Sequence, residues 1–195
     1  MKIAFFAPYP RNTAASQRFR FEQYFSELEK KNIGFSFYSF YPPWSSGSLH
    51  GKNFLIKIPG ILSGFLRRPF QLLKAIDAEY LFIHRELTPA GPPILEWILI
   101  EILHKKIIYD YDDAIWLSDE KKWLNLFKWY RKVSWLCRKS YRISAGNSYL
   151  AGYALRYNPS VTIVPTTIDT SETGKFSTNY REDQVTIGWT GSHQV

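Results

Sequence analysis

Six short apolar runs alternate with longer stretches of helical periodicity, and no other feature of this sequence limits its fold as much. The runs are "KIAFFA" (Lys2 to Ala7), "FSFYSFY" (Phe35 to Tyr41), "YLFIH" (Tyr80 to His84), "KIIYDY" (Lys106 to Tyr111), "YRISAG" (Tyr141 to Gly146) and "VTIVP" (Val161 to Pro165). Several are continuously apolar, as strands covered on both faces require. Between them, Ser16 is the expected cap of a helix reaching about Lys31, with Phe19, Tyr24, Phe25 and Leu28 at helical spacing. The segment from Phe54 to Ile76 is helical in character, with breaks expected at Pro59 and Pro69. "PPILEWILIEILHK" reads as a helix with Pro92 and Pro93 at its mouth, and Asp119 to Tyr141 as a long amphipathic one. Asn147 or Ser148 caps a last helix running to about Tyr157. Strand and helix alternating in this way predict an α/β domain, a Rossmann-like, doubly wound and mostly parallel sheet with helices on both faces.

Length and composition fit that picture. A chain of 195 residues, 45% of them apolar, fills one core, which the pattern places at residues 1–168. The polar stretch at 169–184 reads as a linker, and "VTIGWTGSHQV" at 185–195 opens something new. The single cysteine, Cys137, excludes an internal disulfide framework and reads as a small core residue. The first apolar run is only about five residues long before Pro8, too short for a signal peptide. "ILEWILIEIL" is too short to span a bilayer and carries Glu96 and Glu101. A soluble, cytoplasmic chain is therefore expected.

Charge points to an anionic partner. Twenty-five basic residues against 17 acidic ones leave +8, which suits a phosphate-bearing ligand, an acidic membrane surface or nucleic acid. No DNA or RNA motif accompanies it, so specific nucleic-acid binding is not expected. Between Ser45 and Ile76 five cations, Lys52, Lys57, Arg67, Arg68 and Lys74, are interleaved with apolar residues and no carboxylate, a composition suited to an anionic membrane interface. A second basic stripe, Lys121, Lys128, Lys132 and Lys139, reads as a solvated helix face opposite Val133, Cys137 and Tyr141.

In a doubly wound sheet, ligands bind outside the carboxyl ends of the strands, which directs attention to three loops. After the first strand, "APYPRNTAASQRFRF" lacks a GxGxxG fingerprint but puts Arg18 and Arg20 in the first turns of a helix, against its dipole. Those cations meet either an anionic ligand or a local carboxylate such as Glu22. After the third strand come His84, Arg85 and Glu86. The histidine is a proton carrier, a hydrogen-bond donor to a hydroxyl-rich ligand, or a residue satisfying backbone groups at the strand end. After the fourth strand, "YDYDDAIW" brings Asp110, Asp112 and Asp113. With period two, Asp110 and Asp112 share a face. Such carboxylates bind a divalent cation, or one serves as a general base, while the structural alternatives are an ion pair for Asp110 and a helix cap for Asp112 or Asp113.

Taken in order, "KIAFFAPYP", "SQRFRF", "HRELTPAGPP", "YDYDDAIW", "GNSYLAGYA", "VTIVPTTID" and "TIGWTGS" resemble the amino-terminal half of a GT-B glycosyltransferase, close to family 4. The resemblance implies an acceptor-binding domain at 1–168 and, at 185–195, the first strand and Gly loop of a donor-binding domain whose remainder is missing. It further implies transfer of a sugar from a nucleotide-sugar co-substrate to a glycan or lipid-linked acceptor hydroxyl, in cell-surface polysaccharide synthesis, with no obligatory metal or other cofactor. Asp112 is then the expected catalytic base with Asp113 as the neighbouring option. Arg18, Arg20, His84, Arg85 and Glu86 line the acceptor pocket, and Gly191 and Ser192 approach the donor diphosphate. Such a half-cleft alone is expected to be inactive, since donor and acceptor must be held together. The alternative of a different class is a non-catalytic α/β module that binds an anionic glycan or a partner protein through the same face.

Overall fold

Strands that are apolar on both faces can only be satisfied inside a layered structure, and the chain builds one. The computed structural model describes residues 1–46, 54–117 and 129–168. Strands β1 (Lys2–Ala7), β2 (Gly34–Ser39), β3 (Tyr80–His84), β4 (Lys106–Tyr111), β5 (Arg142–Ala145) and β6 (Val161–Ile163) form one parallel sheet in the order β2-β1-β3-β4-β5-β6. Register pairs Phe5 with Phe37 and Phe82, His84 with Asp110, and Asp110 with Ser144. The expected doubly wound α/β class is the one observed.

Alternate residues feed two apolar layers. On one face Phe6, Leu81, Ile83, Ile107, Tyr109 and Ile143 meet Leu87 from the loop after β3 and Leu99, Leu136, Cys137 and Leu150 from the helical layer. On the other, Phe5 gathers Phe21 and Phe25 with Phe35, Phe37 and Phe82 at its edge. Phe25 stacks on Phe35 at 4.4 Å and meets Phe5 edge-on at 5.0 Å, geometries that add to plain burial.

The helices depart from expectation in instructive ways. The segment after β1 is broken into α1 (Ala15–Arg20), a 3₁₀ turn (Glu22–Tyr24) and α2 (Phe25–Lys30). Phe21, at φ −145°, leaves helical geometry there. The break turns Glu22 back under the preceding loop, where its carboxylate accepts from the Asn12 N–H at 2.8 Å and the Gln17 amide at 3.1 Å. Ser16 is not the cap; Ala14 occupies that position without a side-chain bond. A short helix α3 (Pro43–Ser46) precedes α4 (Phe54–Lys74), which runs unbroken through Pro59 and Pro69. Both prolines are exposed, so the missing N–H groups leave gaps only on the outer side, away from the packed face.

That packed face explains a glycine. A Cβ on Gly64 would lie 2.5 Å from the Phe40 ring, which approaches the helix directly. Gly64→Ala should therefore lower stability by about 1–3 kcal/mol, through overpacking, in a urea melt. A variant as stable as the parent would mean that the Phe40 ring swings aside freely.

The expected helix after Pro93 is a short α5 (Ile94–Trp97) that widens into a π turn, Ile98–Ile102. The described part of the expected 119–141 helix is α6 (Arg131–Lys139), and the last helix is α7 (Ser148–Leu155). Asn147 caps α7 as expected, its side chain accepting from the Leu150 N–H at 2.9 Å. Lys132 corrects the sequence reading: it is buried, not part of a solvated stripe, and Tyr141 lies half-exposed beyond the helix end. The Lys132 ammonium sits 3.0 Å from the Glu96 carboxylate and donates to the Thr88 carbonyl at 2.9 Å. The attraction of a buried carboxylate outweighs the exposure that a lysine normally seeks. Among the described residues no helix is long and apolar enough to cross a membrane. The linker expected at 169–184 and the strand and loop at 185–195, with Gly191 and Ser192, lie outside the described residues, as do Lys52, Lys121 and Lys128.

Candidate functional site

From β1 the chain winds outward to β2 and then crosses back to β3 on the other side, so the loops leaving β1 and β3 diverge. Such a switch point opens a crevice at the carboxyl edge of the sheet. A cavity of about 240 Å³ lies there, lined by Pro8 and Tyr9 after β1, Phe40 and Tyr41 after β2, Arg85 and Glu86 after β3, and Ile115 after β4. The Tyr9 and Tyr41 rings stack at 5.7 Å and 21°. Burial pushes the Tyr41 phenol up to about 12, with Tyr9 and Glu86 adding to the shift, so its hydroxyl keeps a proton to donate.

Beside this cavity the sheet changes chemistry. The face that carries Phe5 and Phe82 continues toward the strand ends as His84, Asp110 and Ser144, and Arg20 reaches down from α1 to meet them. Arg20 Nη2 donates to Asp110 Oδ1 at 2.5 Å and Arg20 Nε to Oδ2 at 3.0 Å, a forked pair buried on both sides. Arg20 also donates to Ser144 Oγ at 3.1 Å and to the Val164 carbonyl at 2.7 Å, tying α1 to the chain beyond β6. His84 Nδ1 lies 2.7 Å from Asp110 Oδ2. Burial alone would raise the Asp110 carboxyl, but hydrogen bonds from His84 and Arg20 outweigh it and hold it down at about 2.

A depressed carboxyl links folding to pH in one direction. The unfolded chain binds this proton near the ordinary aspartate value and the folded chain only near pH 2, so the stabilisation is complete above about pH 5 and is lost as pH falls through 4 toward 2. The contribution is about 2 kcal/mol. Urea midpoints followed from pH 6 to pH 2 should fall steeply at the acid end, and the Asp110→Asn variant should show a shallower fall. Equal slopes would remove Asp110 from the acid response.

Nearer the surface, Asp112 and Asp113 share one cation. Arg85 donates to Asp112 Oδ1 through Nε at 3.2 Å and Nη2 at 3.1 Å, and Nη2 also pairs with Asp113. Burial disfavours the Arg85 charge, but the two carboxylates overcome it and raise its affinity for the proton. Arg85 is held at φ +65°, an uncommon conformation for a branched-chain-free but bulky side chain, fixed by its N–H donating to the Asp110 carbonyl at 2.8 Å. Beneath this pair, His84 Nε2 is buried, has no hydrogen-bond partner among the described residues, and lies 4.0 Å from Asp112 Oδ1. A Cβ on Gly146, just past β5, would come within 3.2 Å of Asp112 Cα, so a larger residue there would press this backbone outward by a few tenths of an ångström.

The sequence-predicted residues thus divide by depth. Arg85 and Glu86 line the cavity, and Asp112 stands at its edge through Arg85. Asp113 is more exposed, paired with the same arginine. Arg20 and His84 lie under the surface, locked to Asp110, so they form a buried network beside the cavity and do not line it. The ion pair considered for Asp110 is present, and Arg20, 90 residues away, is its partner, so this arginine meets Asp110 and not the local Glu22. Arg18 is exposed over the Phe19 ring at 4.7 Å and does not line the cavity.

Sequence reasoning missed Tyr9 and Tyr41, and it wrongly counted Arg68 among the cations facing a membrane interface. Arg68 is fully buried and donates to the carbonyls of Leu87 at 2.8 Å, Tyr38 at 3.3 Å and Ala7 at 3.3 Å. It cross-braces the ends of β1 and β2 with the loop after β3. Burial lowers its pKa to about 9, although Glu96 offsets part of the loss. One signal was present: Gly60, Gly64, Arg68, Gln71 and Ala75 fall on one helical side, so that side packs with small and polar residues. No protein-family model matches this chain, and no curated protein matches it.

Proposed function

We propose that this domain binds the hydroxyl-rich acceptor of a sugar-transfer reaction in the cavity at the β1/β3 switch point. The observation that carries the reading is the composition of that cavity: two stacked tyrosines beside an arginine and a glutamate at the carboxyl edge of a doubly wound sheet. Aromatic faces suit the apolar C–H faces of a pyranose, and charged groups suit its hydroxyls. In this reading Asp112 is the group that receives the proton of the attacking hydroxyl, and Arg85 orients it from one side. The buried Asp110, His84 and Arg20 keep that edge in place. Asp113, the more exposed partner of Arg85, is the neighbouring option. Transfer itself needs a nucleotide-sugar co-substrate held opposite, for which Gly191 and Ser192 are the proposed approach.

The reading is tested with simple methyl glycosides as acceptor probes. Saturation-transfer NMR should detect at least one of them in the millimolar range, and Tyr41→Ala should weaken it about tenfold, roughly 1.4 kcal/mol. Tyr9→Ala serves as an independent second variant. If neither substitution changes the binding while both proteins melt as the parent does, the acceptor does not occupy this cavity.

A further inference from the structure

The faces of α4 are reversed relative to an ordinary crossover helix in water. Its packed side carries Gly60, Gly64, Arg68, Gln71 and Ala75. Its outer side carries Ile58, Leu62, Leu66, Phe70 and Leu73, with Leu66 71%, Phe70 66% and Leu73 63% exposed. Steps of four, four, four and three residues place all five on one stripe along the helix. Scattered exposed apolar residues are ordinary, but a contiguous stripe of this length marks a surface that meets something apolar. Arg67 and Lys74 lie along one flank of the stripe, while Lys57 falls on the packed side at the start of the helix. No aspartate or glutamate occurs from Ser45 to Ile76.

We propose that α4 lies in the interfacial layer of an anionic lipid bilayer, its Leu62–Leu66–Phe70–Leu73 stripe among the acyl chains and its flanking cations at the headgroups. Charge decides between this and pairing with a second copy. A two-fold contact through the same stripe would bring Arg67 and Lys74 of both copies toward one another with no carboxylate in the segment to relieve them. An anionic surface instead attracts each of them by about 1 kcal/mol. Geometry places the cavity close to that surface. At 21 residues, α4 is about 31 Å long against roughly 17–20 Å for its neighbouring strands. Arg68 reaches the end of β1 and Gly64 meets Phe40 just past β2, so the turns before Gly64 stand beyond the carboxyl edge. Phe40 both packs on α4 and lines the cavity. The inference rests on the surface of α4 alone and stands or falls apart from the proposed function.

Co-sedimentation of the 195-residue chain with phosphatidylcholine vesicles, with and without phosphatidylglycerol, tests it. The chain should partition about tenfold or more in favour of the anionic vesicles. Leu66→Glu with Phe70→Glu should abolish that partitioning at an unchanged melting temperature, and Arg67→Gln with Lys74→Gln should remove the preference for anionic lipid. Equal binding to both vesicles, or equal binding by the double-glutamate variant, overturns the proposal. So does a dimer in size exclusion that this variant converts to a monomer without any vesicle binding, which assigns the stripe to a second copy. A monomer that binds neither vesicle assigns it to the chain's own residues and overturns the proposal equally.

Discussion

Asp110→Ala is expected to destabilise the fold by about 3–5 kcal/mol, a large share of the 5–15 kcal/mol that holds an ordinary domain together. The carboxylate is the only anion paired with Arg20 among the described residues, and both side chains are buried. Alanine would leave the guanidinium in a low-dielectric site with, among the described residues, only neutral acceptors, Ser144 Oγ, Thr166 Oγ1 and the Val164 carbonyl. It would also strip His84 Nδ1 of its partner on a ring whose Nε2 already has none. A urea titration followed by circular dichroism reads the loss directly. Should alanine be too unstable to purify, Asp110→Asn keeps the shape and most acceptor capacity while removing the charge, and about 2 kcal/mol of loss is expected from the carboxyl's depression to about 2. A loss below about 1 kcal/mol for alanine would mean that the pair is solvated in solution.

The second large effect lies in the other layer. Lys132→Met should cost about 3–5 kcal/mol, because the fully buried Glu96 carboxyl would lose its ammonium partner and, among the described residues, keep only the Leu87 N–H, at 3.3 Å, to accept from. Glu86, 3.5 Å from the same ammonium, would lose its attraction as well, loosening a wall of the cavity. The double change Lys132→Met with Glu96→Gln removes both charges, and it should recover part of the loss, giving a coupling of about 1–3 kcal/mol in a double-mutant cycle. Strict additivity would show that the two side chains do not meet.

What the sequence disclosed and what it hid follow from the range of the interactions involved. Continuous apolar runs and turn residues are local signals, so β1, β3 and β4 begin and end where the residues indicate. The Asn147 cap is equally local. Lys132 was misread because its exposure depends on Glu96, on an element that only tertiary packing brings near. Arg20 and Asp110 were both singled out, but their pairing spans 90 positions and carries no periodic trace. The prolines of α4 imply breaks in any local reading, yet their position on the outer side makes them tolerable. Tyr9 read as an ordinary loop aromatic and Tyr41 as the last residue of the second strand, which in fact ends at Ser39, and only the β1-to-β2 pairing brings the two rings together.

The most direct test of the acceptor cavity is where a sugar settles. Methyl glycosides titrated into the ¹⁵N-labelled chain should move the backbone amides of Tyr9, Tyr41, Arg85 and Glu86 saturably, and these shifts should vanish in Tyr41→Ala at an unchanged melting temperature. Saturable shifts confined to other parts of the sheet, or none with any methyl glycoside, would contradict an acceptor site at the β1/β3 switch point.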